Sequence, residues 1–168
     1  MTFSIYSASI PVFKQILGSL AAILDKAETH AQDKKIDPNA LLQFRLFPDM
    51  LPFVRQIQIA TDFAKGCCAR LAGEEVPAWD DVETSFEDLI ARIDRAVAYV
   101  EGLDPAKFEN AEDRDITLTR RGETSVVKGL AYLQTQAQPN FFFHLTTAYA
   151  ILRKNGVEIG KKDYLGTA

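Results

Sequence analysis

The sequence predicts an all-α protein, a four-helix bundle with a small β-hairpin between its third and fourth helices. Apolar residues recur at i, i+3, i+4 and i+7 through four long segments, the spacing of amphipathic helices. Between Asp115 and Lys128 the period switches to alternation about a glycine turn, the pattern of a hairpin. Finally, 168 residues, 47% hydrophobic and 25% charged, suit one domain, 1–168, with a single core.

The first helix is expected from about Ser4 to Ala31, with Val12, Ile16, Leu20, Ile23, Leu24 and Ala27 on one stripe. Pro11 either sits in a first turn capped by Ser9 or kinks the helix near its start, and the reading favours the kink. Asp37 then caps a second helical region at Pro38, which runs to Ala72 and is interrupted at "FPDMLP". Beyond the interruption, Met50, Phe53, Val54, Ile57, Ala60, Thr61, Ala64, Cys67, Cys68 and Leu71 form the apolar face, and Gly73 is the stop. The loop "EEVPAWDDVE" follows, with Trp79 expected to fold back onto the bundle.

Thr84 and Glu87 make a capping-box pattern for the third helix, which buries Phe86, Leu89, Ile90, Ile93, Ala96, Val97 and Val100 and ends at Gly102 and Pro105. "ITLTRRGETSVV" is the hairpin, too small to stand alone, so it must pack on the helices. The fourth helix is expected to start at Pro139, after Gln138, and to end near Lys154 and Asn155. Gly156 closes it, with Arg153 and Lys154 complementing its dipole.

Charge and composition exclude several function classes. With 19 basic and 23 acidic side chains the net charge is -4, against the basic excess that phosphate contacts require, so no nucleic-acid partner is expected. No continuous run reaches the roughly 18 apolar residues of a membrane span, so no membrane role is expected. The start "MTFSIYSASIPVFKQ" lacks a basic n-region and a cleavage site, which points to the cytoplasm. Cys67 and Cys68 are adjacent. Their Cα atoms lie about 3.8 Å apart, below the roughly 4.4–6.8 Å of a disulfide. They read as reduced, semi-buried fillers. No phosphate loop, nucleophile elbow, CxxC pair or HExxH is present.

Two longer motifs, "PDMLPFVRQIQIATDFAKG" and "NFFFHLTTAYAILRKNGVEIGKKDYLG", together with the helix order, carry a resemblance. Over nearly its whole length the chain resembles an uncharacterised bacterial family within the DinB/YfiT-like superfamily. The resemblance implies a DinB-like bundle. Many members are metalloproteins with one histidine on the second helix and two at i, i+4 on the fourth. Some with intact triads are metal-dependent thiol transferases or hydrolases. By that resemblance His144 takes the second position of the pair, Asn140 the first, and Gln58 the second-helix position. One imidazole and two carboxamides are a poor donor set for zinc, which is built into proteins by thiolate, imidazole and carboxylate. No cofactor is therefore expected, with a divalent zinc or nickel ion the minority alternative. His30 has no spacing that recruits it.

Asn140 and His144 share one helical face, as do Gln58 and Asp62, with Arg55 three residues earlier. If both faces turn inward, Arg55, Gln58, Asp62, Asn140 and His144 form a polar pocket. They then either satisfy one another and fix helix register, or line a small-molecule site inherited from a metal centre. His144 itself should be neutral and hydrogen-bonded.

Phe141 to Phe143 wrap most of a helix circumference, so at least one leaves the core, with Phe142 the candidate. The hairpin tip "TRRGE" reads as solvated, with anion binding the alternative. A homodimer through Phe142, Tyr149 and the "YLG" tail is expected. The leading functional expectation is a non-catalytic protein binding a small ligand or protein partner at a degenerate metal site. A metal-dependent transferase or hydrolase and a structural oligomer are the alternatives.

Overall fold

The computed structural model describes residues 4–166. Helix α1 spans Ile5–Lys34, three residues beyond the expected end, and closes where Lys35 turns left-handed at φ 54. Pro11 lies inside α1 rather than in its first turn, so the Ser9-capped start is not taken. Ser9 instead turns its hydroxyl back and donates to the Ile5 carbonyl at 2.7 Å. Helix α2 is the short Pro38–Leu42, capped as expected by Asp37 accepting from Asn39 N. Irregular chain through "FPDMLP" leads into α3, Phe53–Ala72, which Gly73 ends at φ 72.

A strap of residues 74–85 then crosses to α4, Phe86–Glu101. Its capping box lies one residue later than the sequence suggests, between Ser85 and Asp88. The shorter aspartate serves because Asp88 Oδ2 accepts from Ser85 N at 3.1 Å and from Thr84 N at 2.9 Å. Those backbone donors, Thr84 first, hold the Asp88 carboxyl below its ordinary range.

After a 3₁₀ turn at Pro105–Phe108 comes the hairpin, β1 Asp115–Arg120 against β2 Glu123–Lys128, with Ile116 opposite Val127 and Leu118 opposite Ser125. Arg121 and Gly122 both take positive φ, 52 and 82, as a tight two-residue hairpin turn demands. Ile116 and Leu118 bury the inner face against the bundle, which supplies the packing that a two-stranded sheet lacks on its own.

The last bundle helix begins earlier than expected. The chain is helical from Gly129: α5 is Gly129–Tyr132, Leu133–Ala137 form one π-helical turn, and α6 is Gln138–Lys154. Pro139 marks not a start but the cause of the π turn, because its ring would meet the carbonyl of Thr135 in a regular α-helix. Gly129 is required by close approach, since a Cβ there would sit 1.9 Å from the Ala111 carbonyl oxygen. A short α7, Lys161–Leu165, absent from the sequence reading, docks on α1 through Gln15 donating to Leu165 O at 2.9 Å and a Lys26–Asp163 pair at 2.6 Å.

Helix α1 packs on α4, α4 on α3, and α3 on α6, while an edge-to-face contact of Phe13 with Phe141 at 4.9 Å joins α1 to α6. The core between them holds Leu17, Leu24, Phe53, Ile57, Leu89, Ile93, Leu145 and Leu152, all without solvent exposure. By length and composition α1 is apolar enough to cross a membrane, and half of that apolar window is buried within the bundle.

Candidate functional site

His144, four residues into the regular part of α6 beyond Asn140, meets α3 at the seam between these two helices. Its Nδ1 lies 2.7 Å from Gln56 Oε1. Gln56 is fully buried and donates its Nε2 to the Leu51 carbonyl at 2.9 Å. A carbonyl can only accept, so the Gln56 amide nitrogen must face Leu51 and its oxygen must face the histidine. Nδ1 therefore carries the proton and donates, leaving the Nε2 lone pair of the neutral ring unused by the chain. No buried polar side-chain atom among the described residues lacks a partner, so this unpaired Nε2 is open to solvent.

Phe63 stacks beside the imidazole at 6.1 Å and 18°, and Phe143 meets it edge to face at 5.3 Å. Burial among these rings pushes the His144 pKa below 6.5, so the ring is neutral at pH 7. Phe143 is exposed, and so is Leu51, whose carbonyl holds the Gln56 amide.

The five residues expected in one pocket occupy two places. Asn140 and His144 lie on α6, where Asn140 Nδ2 donates to the Gln136 carbonyl at 2.6 Å. Arg55, Gln58 and Asp62 instead join a second network, between α3, α4 and the strap. Gln58 accepts from Arg55 Nη1 at 2.8 Å and donates to Glu83 at 2.7 Å. The residue opposite His144 is thus Gln56, not Gln58. Two residues along a helix turn the side chain by about 200°, which separates these two buried glutamines onto different faces.

The second network centres on Arg92, which sequence reasoning passed over and which is almost wholly buried. Its Nε donates to Thr61 at 2.8 Å, Nη1 to the Asp80 carbonyl at 3.0 Å and Glu83 at 2.9 Å, and Nη2 to Asp62 at 3.1 Å, while Nη2 also pairs with Asp81 at 3.0 Å. Four hydrogen bonds and the Asp81 ion pair engage all three guanidinium nitrogens. Lys65, also buried, pairs with Asp62 at 2.8 Å and lies 4.2 Å from the Trp79 ring centroid. Arg55 pairs with Asp81. Burial pushes the Glu83 carboxyl up, but hydrogen bonds from Arg92 and Gln58 outweigh it and leave the group below its ordinary range. Trp79 does fold back, and these ion pairs tie the strap down with it. The signal was present: Arg92 falls beside Leu89, Ile93 and Ala96 on the buried stripe of α4.

The remaining sequence candidates are placed as follows. Cys67 and Cys68 are free and fully buried, and burial pushes both thiols well above their ordinary pKa. Of the phenylalanine triplet, Phe143 faces outward at 57% exposure, whereas Phe142 packs edge to face on Phe141 at 5.3 Å. Tyr149 meets Tyr164 of the tail edge to face at 5.9 Å. His30 lines a separate surface depression with Asp25, Asp33 and Glu158.

A metal does not fit the His144 site. Its donors are one imidazole, with Nδ1 bound to an amide, and the carboxamides of Gln56 and Asn140. Among the described residues no group of three or more His, Cys, Asp or Glu side chains is placed to hold an ion.

A helical bundle with its polar seam between α3 and α6 and a hairpin before α6 defines a DinB-like protein. The family described as "Domain of unknown function (DUF1993)" matches residues 5–165, and the chain belongs to it. A solved structure described as a DinB family member protein from Shewanella denitrificans superposes with a TM-score of 0.91 at 44% identity, covering 97% of this chain and 92% of that one. No curated protein matches the chain.

Proposed function

We propose that this DinB-like protein binds a small organic molecule at the α3–α6 seam without a metal, with the neutral imidazole of His144 as acceptor for a ligand hydroxyl, thiol or N–H. One observation carries the reading: the Gln56 bridge fixes the proton on Nδ1 and points an unused Nε2 lone pair at solvent. Phe63 and Phe143 beside the ring supply apolar walls, which favours a ligand with an aromatic or aliphatic body. The same chemistry argues against catalysis by a bound metal ion and supports the role of a degenerate site that recognises rather than reacts. Two buried, reduced thiols support a cytoplasmic setting.

Calorimetric titration with phenol, which carries both a ring and a donor, tests this reading. Phenol should bind saturably and toluene should not, and His144→Phe should abolish the difference. Equal behaviour of phenol and toluene, or phenol binding unchanged in His144→Phe, would sink the proposal.

A further inference from the structure

The strap and α4 border an open cavity of about 280 Å³ whose lining does not include His144. It is lined by the buried Arg92, the half-buried Glu83, the apolar Trp79, Val82 and Ala91, and the exposed Arg95. Two carboxylates, Glu83 and Asp88, also line it. The charges differ in what they have left to give.

Arg92 is committed to the chain through four hydrogen bonds and its Asp62 and Asp81 ion pairs. Glu83 gives one oxygen to Arg92 and the other to Gln58. Asp88 Oδ2 receives the capping donors of Thr84 and Ser85. Arg95 alone among the lining cations makes no hydrogen bond or ion pair with the described residues. Its guanidinium lies over the Trp79 ring, whose centroid is 4.2 Å from its Cζ. A guanidinium fork resting on an indole is pre-oriented for a carboxylate, because the ring holds the plane while the N–H edge stays free.

We infer that this cavity binds a small monocarboxylate with an apolar body, its charge on Arg95 and its body against Trp79, Val82 and Ala91. The volume suits a ligand at the small end of the usual range for pockets. The chain itself holds the frame, since the strap is tied to α3 and α4 through Asp81 and Glu83.

Trp79 is the only tryptophan in the chain, so its fluorescence reports this cavity alone. The probe is cyclohexanecarboxylate, with cyclohexanol as the body without the charge and acetate as the charge without the body. The acid should give a saturable change in Trp79 emission, with both controls weaker by about tenfold or more, a difference of roughly 1.4 kcal/mol. Arg95→Gln should weaken the acid to the level of cyclohexanol. Val82→Glu, at a site 74% exposed and so safe for folding, should weaken it by placing a negative charge at the mouth. No saturable response in the native protein, or Arg95→Gln and Val82→Glu both titrating like it, would overturn the inference.

Discussion

Gln56 Oε1 and His144 Nδ1, 88 positions apart in the chain, lie 2.7 Å from each other across the α3–α6 seam. This bond sets the tautomer of the histidine, and with it the character of the site: an acceptor nitrogen facing outward between two phenylalanines. A metal-ligating histidine also fixes its second nitrogen through such a partner. Here the ring has that partner at Nδ1, while its neighbours at the seam are the carboxamides of Gln56 and Asn140.

Adding imidazoles at the seam tests that geometry. Gln56→His together with Asn140→His puts three imidazoles at the seam, and the double variant should retain stoichiometric zinc through dialysis. Gln58→His with Asn140→His should not, because Gln58 turns toward Arg55 and Glu83. Zinc held equally by both pairs would contradict the placement of Gln56 opposite His144.

The depressed pKa of His144 makes stability depend on pH. Its folded pKa lies below the ordinary 6.5, so the unfolded chain binds more protons in the window between the two values. Its contribution is therefore fully present above about pH 6.5 and is lost as pH falls through the lower folded value. Urea midpoints between about pH 7.5 and 5.5, above the range where ordinary carboxylates titrate, should fall more in the native protein than in His144→Gln. An equal fall in both would contradict it.

Arg92→Met should destabilise the fold by about 3 kcal/mol, the low end for breaking a buried charge network, since the side chains of Asp62 and Asp81 remain 40% and 32% exposed and so partly solvated. Arg92→Lys should recover little, because one ammonium cannot span five acceptors. Chemical denaturation measures both. A loss under about 1 kcal/mol for the methionine variant, the scale of a surface pair, would mean that the network contributes little.

Most of the fold was legible in the sequence, and the misses have local causes. The stripes of α1, α3 and α4 follow from spacing, since each buries one face. The start of the fourth helix did not, because a proline after a polar run reads as a first turn, while Pro139 is accommodated mid-helix by the π turn before it. Half of the site was legible: Asn140 and His144 share a face by their i, i+4 spacing. The other half was not, because "RQIQ" puts two buried glutamines on opposite faces of α3, and periodicity cannot say which face meets α6. Arg92 and Lys65 were each visible as a cation set among apolar stripe positions, yet their partners come from a strap with no period of its own.

Cys67 and Cys68 should react with an alkylating reagent only as fast as the protein unfolds, since burial both shields the thiols and pushes them above their ordinary pKa. The rate should rise with urea in step with unfolding. Rapid alkylation of the native protein near pH 7 would show a thiolate that burial should forbid.

The protonation state of His144 is the most direct test of the account, and long-range ¹H–¹⁵N correlation of its ring at neutral pH, on chelated and dialysed protein, reads it. The account predicts a neutral ring with a protonated Nδ1 and a lone-pair Nε2, the latter shifting on addition of phenol. A proton on Nε2, a doubly protonated ring, or an Nε2 indifferent to phenol would contradict it.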